Sequence, residues 1–198
     1  MEKETYVFVE PEADFDKEER QPASYLRRSF DITKPVREAR LEMTALGTYI
    51  GYLNGQRLTE EELQPGYTDY RYRVQLQSYD VTPALRMGKN VAAAVIGDGW
   101  YRGGLGASSK RNQYGSRIKW MFRLTVHYED GTSECICADR NTKATQNGPL
   151  RQNDIKIDEV YDARKEMTGW ADTEFDDSAW HGVREGAYGG QMLDSVEG

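Results

Sequence analysis

Apolar and polar residues alternate along most of the chain. The longest alternating run is Ile118–Tyr128, in which large apolar side chains occupy every second position. The same period of two recurs in Arg40–Leu46, where Leu41, Met43 and Ala45 alternate with charged and polar residues. This period is expected for a β-strand that has one face in the core and the other face in solvent. We therefore predict strands at residues 25–32, 40–46, 72–81 and 118–128.

A different pattern, six consecutive apolar residues, is found at Val91–Ile96. This run is too short for a membrane span and too uniformly apolar for a surface strand, so it predicts a strand buried on both faces. The loop that follows has the sequence GDGWYRGG, and its glycines permit the backbone conformations of a tight loop. Because loops held by a rigid strand often carry ligand sites, the candidate binding residues in this loop are Asp98, Trp100, Tyr101 and Arg102.

The same loop has a structural interpretation that the sequence leaves open. In this alternative, Trp100 and Tyr101 cover the end of the hydrophobic core, and Asp98 accepts hydrogen bonds from loop amides. Aromatic and aspartate residues at strand ends are often used in this way. The two interpretations differ in one respect, namely which of these side chains is exposed.

Turn residues separate the predicted strands. Asn54-Gly55 and Asp130-Gly131 each lie between two alternating segments, and both dipeptides favour the backbone angles of a tight hairpin turn. Thr82–Arg86 has the features of one helical turn, which would carry the chain from one sheet to another. No long helical pattern is found. The sequence therefore predicts an all-β fold, an antiparallel β-sandwich of jelly-roll or galactose-binding-like type with short helical turns.

Composition divides the chain into three parts. Residues 1–22 are acidic and are interpreted as an N-terminal tail or edge strand, with a solvated tail preferred. Residues 23–184 form the predicted sandwich domain, and within them the polar segment 141–153 is predicted to be a loop. Residues 185–198 show no periodicity and are predicted to be a linker to a domain downstream.

Charge distribution excludes several classes of partner. The chain has 198 residues, of which 26 are Lys or Arg and 33 are Asp or Glu, and its net charge is −7. Its basic residues are scattered, whereas nucleic acid binds clustered cations, so nucleic acid is not a predicted partner. The charged N-terminus contains no long apolar run. We therefore predict neither a signal peptide nor contact with a membrane.

Motifs of catalysis and metal binding are also missing from the sequence. It contains no GxSxG, HExxH, P-loop or CxxC motif, and two histidines leave little basis for a triad or a zinc site. Cys135 and Cys137 are predicted to be free thiols, because two residues apart on one strand they lie at the limit of disulfide geometry. A pair of carboxylates could in principle serve a glycosidase, but with 33 acidic residues the sequence alone selects no pair, and no required cofactor is predicted.

Tyrosine is abundant, with thirteen tyrosines and four tryptophans in the chain. Aromatic rings stack on sugar rings while Asp, Asn and Arg side chains bond to hydroxyl groups, so these residues favour carbohydrate binding. The alternative is that the tyrosines simply fill strands. The aromatic residues in or beside predicted loops are Tyr67, Tyr70, Tyr72, Trp100, Tyr101 and Tyr114.

Six motifs occur along the chain in a specific order: LNGQRL, PGYTDYR, YDVTPAL, GDGWYRG, VYDAR and FDDSAW. The segments 39–106 and 159–180, which contain them, closely resemble the N-terminal β-sandwich domain of bacterial α-L-rhamnosidases of glycoside hydrolase family 78. The resemblance covers most of the chain from Tyr25 to Val183. It implies a fragment of such an enzyme, with the catalytic domain downstream in the same polypeptide.

The resemblance also implies a function. In that family the inverting catalytic acids lie in a separate (α/α)6 barrel, so this chain is expected to be a non-catalytic, carbohydrate-binding-like accessory domain. Its parent enzyme would hydrolyse terminal α-L-rhamnose from glycans or glycosides. The alternative is a purely structural domain that braces the barrel and binds no sugar. A secreted or periplasmic bacterial location is expected, with an intracellular location as the alternative.

Site residues follow from the same resemblance. Domains similar to this one bind L-rhamnose through a calcium ion, using the loop that matches the glycine-rich loop of this chain. Asp98 would then be the calcium ligand, and Trp100 or Tyr101 would lie against the sugar. Asp69 or Arg102 would bond to sugar hydroxyl groups.

Overall fold

The structure is a computed structural model that describes residues 6–12, 21–186 and 192–197. Most regular structure in these residues is β-strand. The helical elements described are one short α-helix, α1 (Gly99–Arg102), and two 3-10 turns, Thr82–Ala84 and Ala163–Lys165. The strands are β1 (Phe8–Pro11), β2 (Ser24–Ile32), β3 (Val36–Leu46), β4 (Thr48–Leu53), β5 (Gln56–Arg57), β6 (Arg73–Asp80), β7 (Gly88–Gly97), β8 (Lys119–Tyr128), β9 (Ser133–Cys137), β10 (Lys143–Thr145), β11 (Leu150–Asp154), β12 (Asp158–Tyr161), β13 (Val183–Gly186) and β14 (Met192–Glu197).

These strands form two facing sheets and a small third sheet. The seven-stranded sheet has the order β13-β1-β8-β3-β6-β14, and β9 also pairs with β8. The five-stranded sheet has the order β10-β2-β7-β4-β5, and β11 pairs with β12 in a two-stranded hairpin. Among the described pairs, neighbours are antiparallel except for β14, which runs parallel to β6. The predicted all-β sandwich is confirmed, while its jelly-roll subtype stays a prediction.

The main hydrophobic core lies between the two large sheets. Alternate residues of β8, including Trp120, Phe122 and Leu124, are fully buried in this core. Burial of these side chains is the main stabilising contribution that a sandwich has, at roughly 1.5–3 kcal/mol for each large apolar side chain. Other members come from the alternating positions of β3 and β7, namely Leu41, Met43, Ala45, Ala92, Ala94 and Ile96. The alternation in the sequence therefore identified the core faces correctly.

The predicted doubly buried strand corresponds to β7, which lies between β2 and β4 in the centre of its sheet. The inner face of β7 contributes to the main core. On its outer face, Val91 and Ala93 pack with Ala171 and Trp170 in a separate apolar cluster. The prediction is confirmed for these positions, because the segment that contains Trp170 covers the sheet from outside.

Both predicted hairpins are present. Asn54 and Gly55 have φ angles of 51° and 80° between β4 and β5, and Gly131 has a φ of 83° between β8 and β9. Positive φ at these positions explains why the turns use asparagine and glycine. The predicted helical turn at residue 82 is a 3-10 turn that links β6 in one sheet to β7 in the other.

The N-terminal segment differs from the preferred prediction of a solvated tail. β1 lies between β13 and β8 inside the seven-stranded sheet, and Phe8 and Val9 are fully buried. Its partner β13 lies more than 170 positions further along the chain, so local sequence gives no sign of the pairing. The remaining residues of this segment, 1–5 and 13–20, lie outside the described residues.

Two other polar segments also contain strands. The predicted loop at residues 141–153 includes β10 and most of β11. The predicted linker at residues 185–198 includes the end of β13 and all of β14 among its described residues. These short strands are held by backbone hydrogen bonds to neighbouring strands, so they need no apolar alternation of their own. In the described ranges, no helix combines the length and the apolar character that crossing a membrane requires.

Replacing Asn54 by alanine tests the first hairpin. The Asn54 side chain donates hydrogen bonds to the Ala84 carbonyl (2.9 Å) and to Asn90 Oδ1 (2.8 Å), and it accepts one from the Val91 amide (2.9 Å). We expect Asn54→Ala to lower the free energy of unfolding by about 2–4 kcal/mol, because buried polar groups lose their partners. Chemical denaturation measures this change. The control Asn147→Ala, at an exposed asparagine, should stay within about 0.5 kcal/mol, and an equal loss in both variants would contradict the prediction.

Candidate functional site

The glycine-rich loop that follows β7 contains the single turn of α1. Gly99 begins this turn with a φ of 53°, and a Cβ atom at this position would overlap the Thr48 hydroxyl oxygen. Only glycine therefore allows the chain to turn so close to β4. The side chains of this turn differ in their exposure. Tyr101 and Arg102 point into the protein and are buried, while Trp100 is only partly buried.

Asp98 lies at the centre of a buried ionic network, with 1% of its side chain exposed. Its Oδ1 atom accepts a hydrogen bond from Arg102 Nε (2.6 Å), and Arg102 Nη2 lies 2.5 Å from the same oxygen. Its Oδ2 atom accepts a hydrogen bond from Arg111 Nη2 (2.6 Å). Both carboxylate oxygens are therefore occupied by guanidinium groups. Asp98 is thus buried, but its partners are guanidinium groups and not the loop amides that the structural interpretation expected.

A second aspartate completes the network. Arg111 also donates a hydrogen bond from Nη1 to Asp154 Oδ2, and the Asp154 carboxylate accepts hydrogen bonds from the Gly104 and Lys156 amides (both 3.1 Å). We call Asp98, Arg102, Arg111 and Asp154 the ionic network. Its two positive and two negative charges balance, which is the condition for keeping charges in a protein interior.

The ionic network does not fit a calcium ion. Calcium takes six to eight oxygen ligands, but both oxygens of Asp98 already contact arginine side chains, whose positive charge opposes a cation. Within residues 6–12, 21–186 and 192–197, no three His, Cys, Asp or Glu side chains are grouped as metal ligands. We therefore correct the expectation that Asp98 binds calcium.

Two further predicted site residues are also corrected. The guanidinium of Arg102 is 3% exposed and paired with Asp98, so it presents no group to a sugar on the surface. Tyr101 is 8% exposed and packs against Tyr70, with ring centroids 5.6 Å apart in an edge-to-face arrangement. Both side chains are buried beneath the surface of the loop cluster, so they are not accessible to a ligand.

An aromatic surface lies above this buried layer. The Tyr67 ring is 59% exposed and lies 5.8 Å from the Trp100 ring, measured between centroids. The Tyr114 ring packs on Tyr70 with a centroid distance of 5.3 Å. The neighbouring Tyr67 hydroxyl, together with partial burial, raises the pKa of Tyr114 to about 12. We call Tyr67, Trp100 and Tyr114 the aromatic surface.

Buried tyrosine contacts hold the aromatic surface in place. The Tyr70 side chain is 1% exposed, and its hydroxyl donates a hydrogen bond to the Gly66 carbonyl (2.7 Å). Burial raises the pKa of Tyr70, so this hydroxyl keeps its proton. The aromatic cluster is continuous with apolar residues of the seven-stranded sheet, namely Phe8, Leu46, Val74 and Met121. The exposed rings therefore rest on a rigid base.

An ion pair borders the aromatic surface. Asp69 accepts two hydrogen bonds from the Arg71 guanidinium, from Nε to Oδ1 (2.8 Å) and from Nη2 to Oδ2 (2.5 Å). The Arg71 side chain holds the pKa of Asp69 below its usual value, so Asp69 is ionised at neutral pH. Both residues also affect the electrostatic environment of the Tyr114 hydroxyl. The surface thus combines exposed rings with hydrogen-bonding groups.

The structure therefore brings together only part of the predicted site. Asp69 and Trp100 lie on the accessible side of the loop cluster, whereas Asp98, Tyr101 and Arg102 lie beneath it. The remaining residues of the aromatic surface, Tyr67 and Tyr114, were indicated in the sequence by the abundance of tyrosine in predicted loops. No sequence pattern indicated Arg111 or Asp154, because both lie in irregular or polar segments and join Asp98 only in the folded chain.

A separate cleft lies on the outer face of the five-stranded sheet. Its volume is about 400 Å³, and its apolar wall includes Ile50, Val95 and Leu150, with carboxylates at Glu62, Asp158 and Glu159. The hairpin of β11 and β12 forms one side of this cleft. The hairpin also exposes four large apolar residues, which we call the hairpin surface: Ile155, Ile157, Val160 and Tyr161.

The fold and the site define a β-sandwich domain with a rigid aromatic surface. Comparison with known sequences places it more precisely. Residues 34–196 match the family described as the α-L-rhamnosidase N-terminal domain, and the chain belongs to this family. The α-L-rhamnosidase of Streptomyces avermitilis is 47% identical over 163 residues. This alignment covers 82% of this chain but only 16% of the relative.

Solved structures agree with this assignment. The α-L-rhamnosidase of Aspergillus terreus has a TM-score of 0.91 and 32% identity, covering 96% of this chain and 22% of that protein. The Streptomyces avermitilis enzyme, crystallised with L-rhamnose, has a TM-score of 0.80 and 45% identity over 84% of this chain and 16% of that protein. A lectin from Pleurotus ostreatus in complex with GalNAc shares the fold at 19% identity, with a TM-score of 0.59 over 96% of this chain and 46% of the lectin. The chain thus spans 16–22% of the rhamnosidases it matches.

Replacing Asp98 by alanine tests the structural importance of the ionic network. The change leaves the buried Arg102 without its carboxylate, while Arg111 keeps only Asp154, so we expect a loss of about 3–5 kcal/mol in the free energy of unfolding. Chemical denaturation followed by circular dichroism measures this loss. The matched control is Asp69→Ala, which removes an exposed carboxylate and should leave the denaturation midpoint unchanged. Equal stability of the two variants would show that the network contributes nothing.

Proposed function

We propose that this domain binds L-rhamnose residues of glycans at the aromatic surface, as an accessory domain within a longer α-L-rhamnosidase. Hydrolysis would then take place in another part of the same polypeptide. The observation that carries this proposal is the exposed Tyr67 ring beside the partly exposed Trp100 ring, with the Asp69–Arg71 ion pair next to them.

This arrangement suits a monosaccharide for a physical reason. A sugar ring presents C–H groups on its faces and hydroxyl groups around its edge. The Tyr67 and Trp100 rings can cover an apolar face, while the carboxylate of Asp69 accepts from hydroxyl groups and Arg71 donates to them. Because the tyrosines below are packed, the rings lose little conformational freedom when a ligand binds. The choice of L-rhamnose rests on membership of the rhamnosidase family.

Titration of the folded chain with L-rhamnose tests this proposal. We expect saturable, weak binding, with a dissociation constant on the order of 1 mM, measured by isothermal titration calorimetry. Trp100→Ala and Tyr67→Ala should each weaken binding about tenfold, because each removes half of the exposed ring pair. Tyr161→Ala is the matched control, since Tyr161 is an exposed tyrosine on the hairpin surface, and its affinity should equal that of the unmodified chain.

The same titration, repeated with calcium and with a chelator, tests the correction made for Asp98. The affinity should be equal in the two conditions, because the ionic network leaves no carboxylate oxygen of Asp98 for an ion. No binding by a correctly folded chain at tens of millimolar sugar would contradict the proposal. A loss of affinity for L-rhamnose in Tyr161→Ala, with no loss in Trp100→Ala or Tyr67→Ala, would show that the sugar binds outside the aromatic surface.

A second candidate function is favoured by the hairpin surface and its cleft. Ile155 is 50% exposed and Tyr161 is 53% exposed, and large apolar residues concentrated on one hairpin are unusual on a free surface. The chain spans only 16–22% of the matched rhamnosidases, so the rest of the polypeptide is the natural occupant. In this function the domain braces the catalytic part of the enzyme. Carboxylates at the cleft, Glu62 and Asp158, would face basic groups of that part.

Association of this chain with the separately produced remainder of its parent polypeptide tests the bracing function. Ile155→Ser combined with Val160→Ser should weaken association at least about tenfold, because both changes remove apolar contact area. Surface plasmon resonance measures the affinity. Met87→Ser, at an exposed methionine outside the hairpin, and Trp100→Ala, on the aromatic surface, should associate normally. Equal association of all the variants would exclude the hairpin surface as the contact.

A further inference from the structure

The two cysteines lie side by side on an exposed strand. Cys135 and Cys137 flank Ile136 on β9, and Ile136 points into the main core. Both thiols therefore project from the outer face of the seven-stranded sheet, where their sulfur atoms are 3.7 Å apart. Cys135 is exposed and Cys137 is partly buried. Among the described strands, β9 pairs only with β8, so its other edge is open.

The surroundings give the two thiols different properties. A hydrogen bond with Cys135 and partial burial hold the pKa of Cys137 far above its usual value, while the positive charge of Arg123 opposes this effect. Arg123 lies directly opposite Cys137 in the register of β8 and β9. Cys137 therefore keeps its proton as long as Cys135 is reduced. The exposed Cys135 is the sulfur that a reagent in solution meets first.

We propose that Cys135 and Cys137 form a redox-active dithiol, which a low-molecular-weight disulfide converts reversibly into an intramolecular Cys135–Cys137 disulfide. This inference does not depend on sugar binding or on bracing. It assigns a modification site to a part of the sheet that neither function uses.

The reaction takes place in two exchange steps. The Cys135 thiolate attacks one sulfur of the small disulfide, forms a mixed disulfide and releases one small thiolate, which takes up a proton from solvent. This step removes the free thiol that was the main cause of the high pKa of Cys137, and Arg123 then favours the Cys137 thiolate. The Cys137 thiolate attacks the Cys135 sulfur and releases the second small thiol. Two cysteine thiols are oxidised, and one small disulfide is reduced to two thiols.

The bond requires a local change in the backbone of β9, since the regular strand is at the limit of disulfide geometry. Residues two apart on an extended strand have Cα atoms about 6.6–6.8 Å apart, which is at the upper limit for a disulfide. Because the sulfur atoms already lie 3.7 Å apart, the side chains need only a short approach. β9 ends at Cys137 and its first three residues are exposed, so the strand has room for such a local change on its outer face.

Incubation of the folded 198-residue chain with glutathione disulfide, followed by intact mass spectrometry, tests the proposal. The unmodified chain should lose two hydrogen atoms and retain no glutathione. Cys137→Ser should accumulate one glutathione on Cys135, because it lacks the second thiol. Cys135→Ser should react at least about tenfold more slowly, since its remaining thiol is partly buried. Treatment with dithiothreitol should restore the mass of the reduced chain.

Three results would overturn the proposal. They are stable retention of glutathione by the unmodified chain, a disulfide between two chains on a non-reducing gel, and no reaction of the folded chain. Both serine variants should keep the thermal unfolding midpoint of the unmodified chain, because neither thiol is part of the hydrophobic core. This control separates a loss of reactivity from a loss of folding.

Discussion

The ionic network of Asp98, Arg102, Arg111 and Asp154 is the interaction on which the candidate site depends. It joins the end of β7, the turn of α1, the irregular segment after α1 and the end of β11. Burying four charges is favourable only when each has its partners, so these segments must come together as one unit. Once they do, the direction of every side chain in α1 is determined, and Trp100 is left on the surface.

A comparable anchor holds the C-terminal part of the described domain. The side chain of Arg27 is 1% exposed and donates hydrogen bonds to the carbonyls of Phe175 (3.1 Å) and Asp172 (2.7 Å) and to Asp177 (2.5 Å). These contacts hold the segment around Trp170 over the outer face of β7. That outer face would otherwise expose Val91 and Ala93, so a buried arginine indirectly completes the burial of the central strand.

The candidate surfaces face different directions but meet at the ionic network, because Gly99 and Asp154 also line the cleft. The aromatic surface rests on a cluster at the outer face of the seven-stranded sheet, whereas the cleft and the hairpin surface lie on the outer face of the five-stranded sheet. This layout would allow the two proposed contacts, with a sugar and with the rest of the polypeptide, to be made at the same time. The two thiols of β9 belong to a third region, at a strand edge. Substitutions of surface side chains outside the ionic network, such as Trp100 and Tyr161, should therefore leave the other surface unchanged, which is why each can serve as a control for the other.

Local patterns in the sequence determined the long strands, both hairpin turns and the family of this domain. Alternation, turn dipeptides and ordered motifs depend on neighbouring residues, so one sequence suffices to recognise them. Only the tertiary structure decided which residues of the glycine-rich loop are exposed, because Asp98 is connected to Asp154 through Arg111 only in the folded chain. The same holds for β1, β13 and β14, whose pairing partners lie far away in the chain. Short strands that are held by backbone hydrogen bonds do not need alternating side chains, so the sequence pattern does not reveal them. The exposure of a side chain depends on residues that are distant in the chain, so local sequence does not determine it.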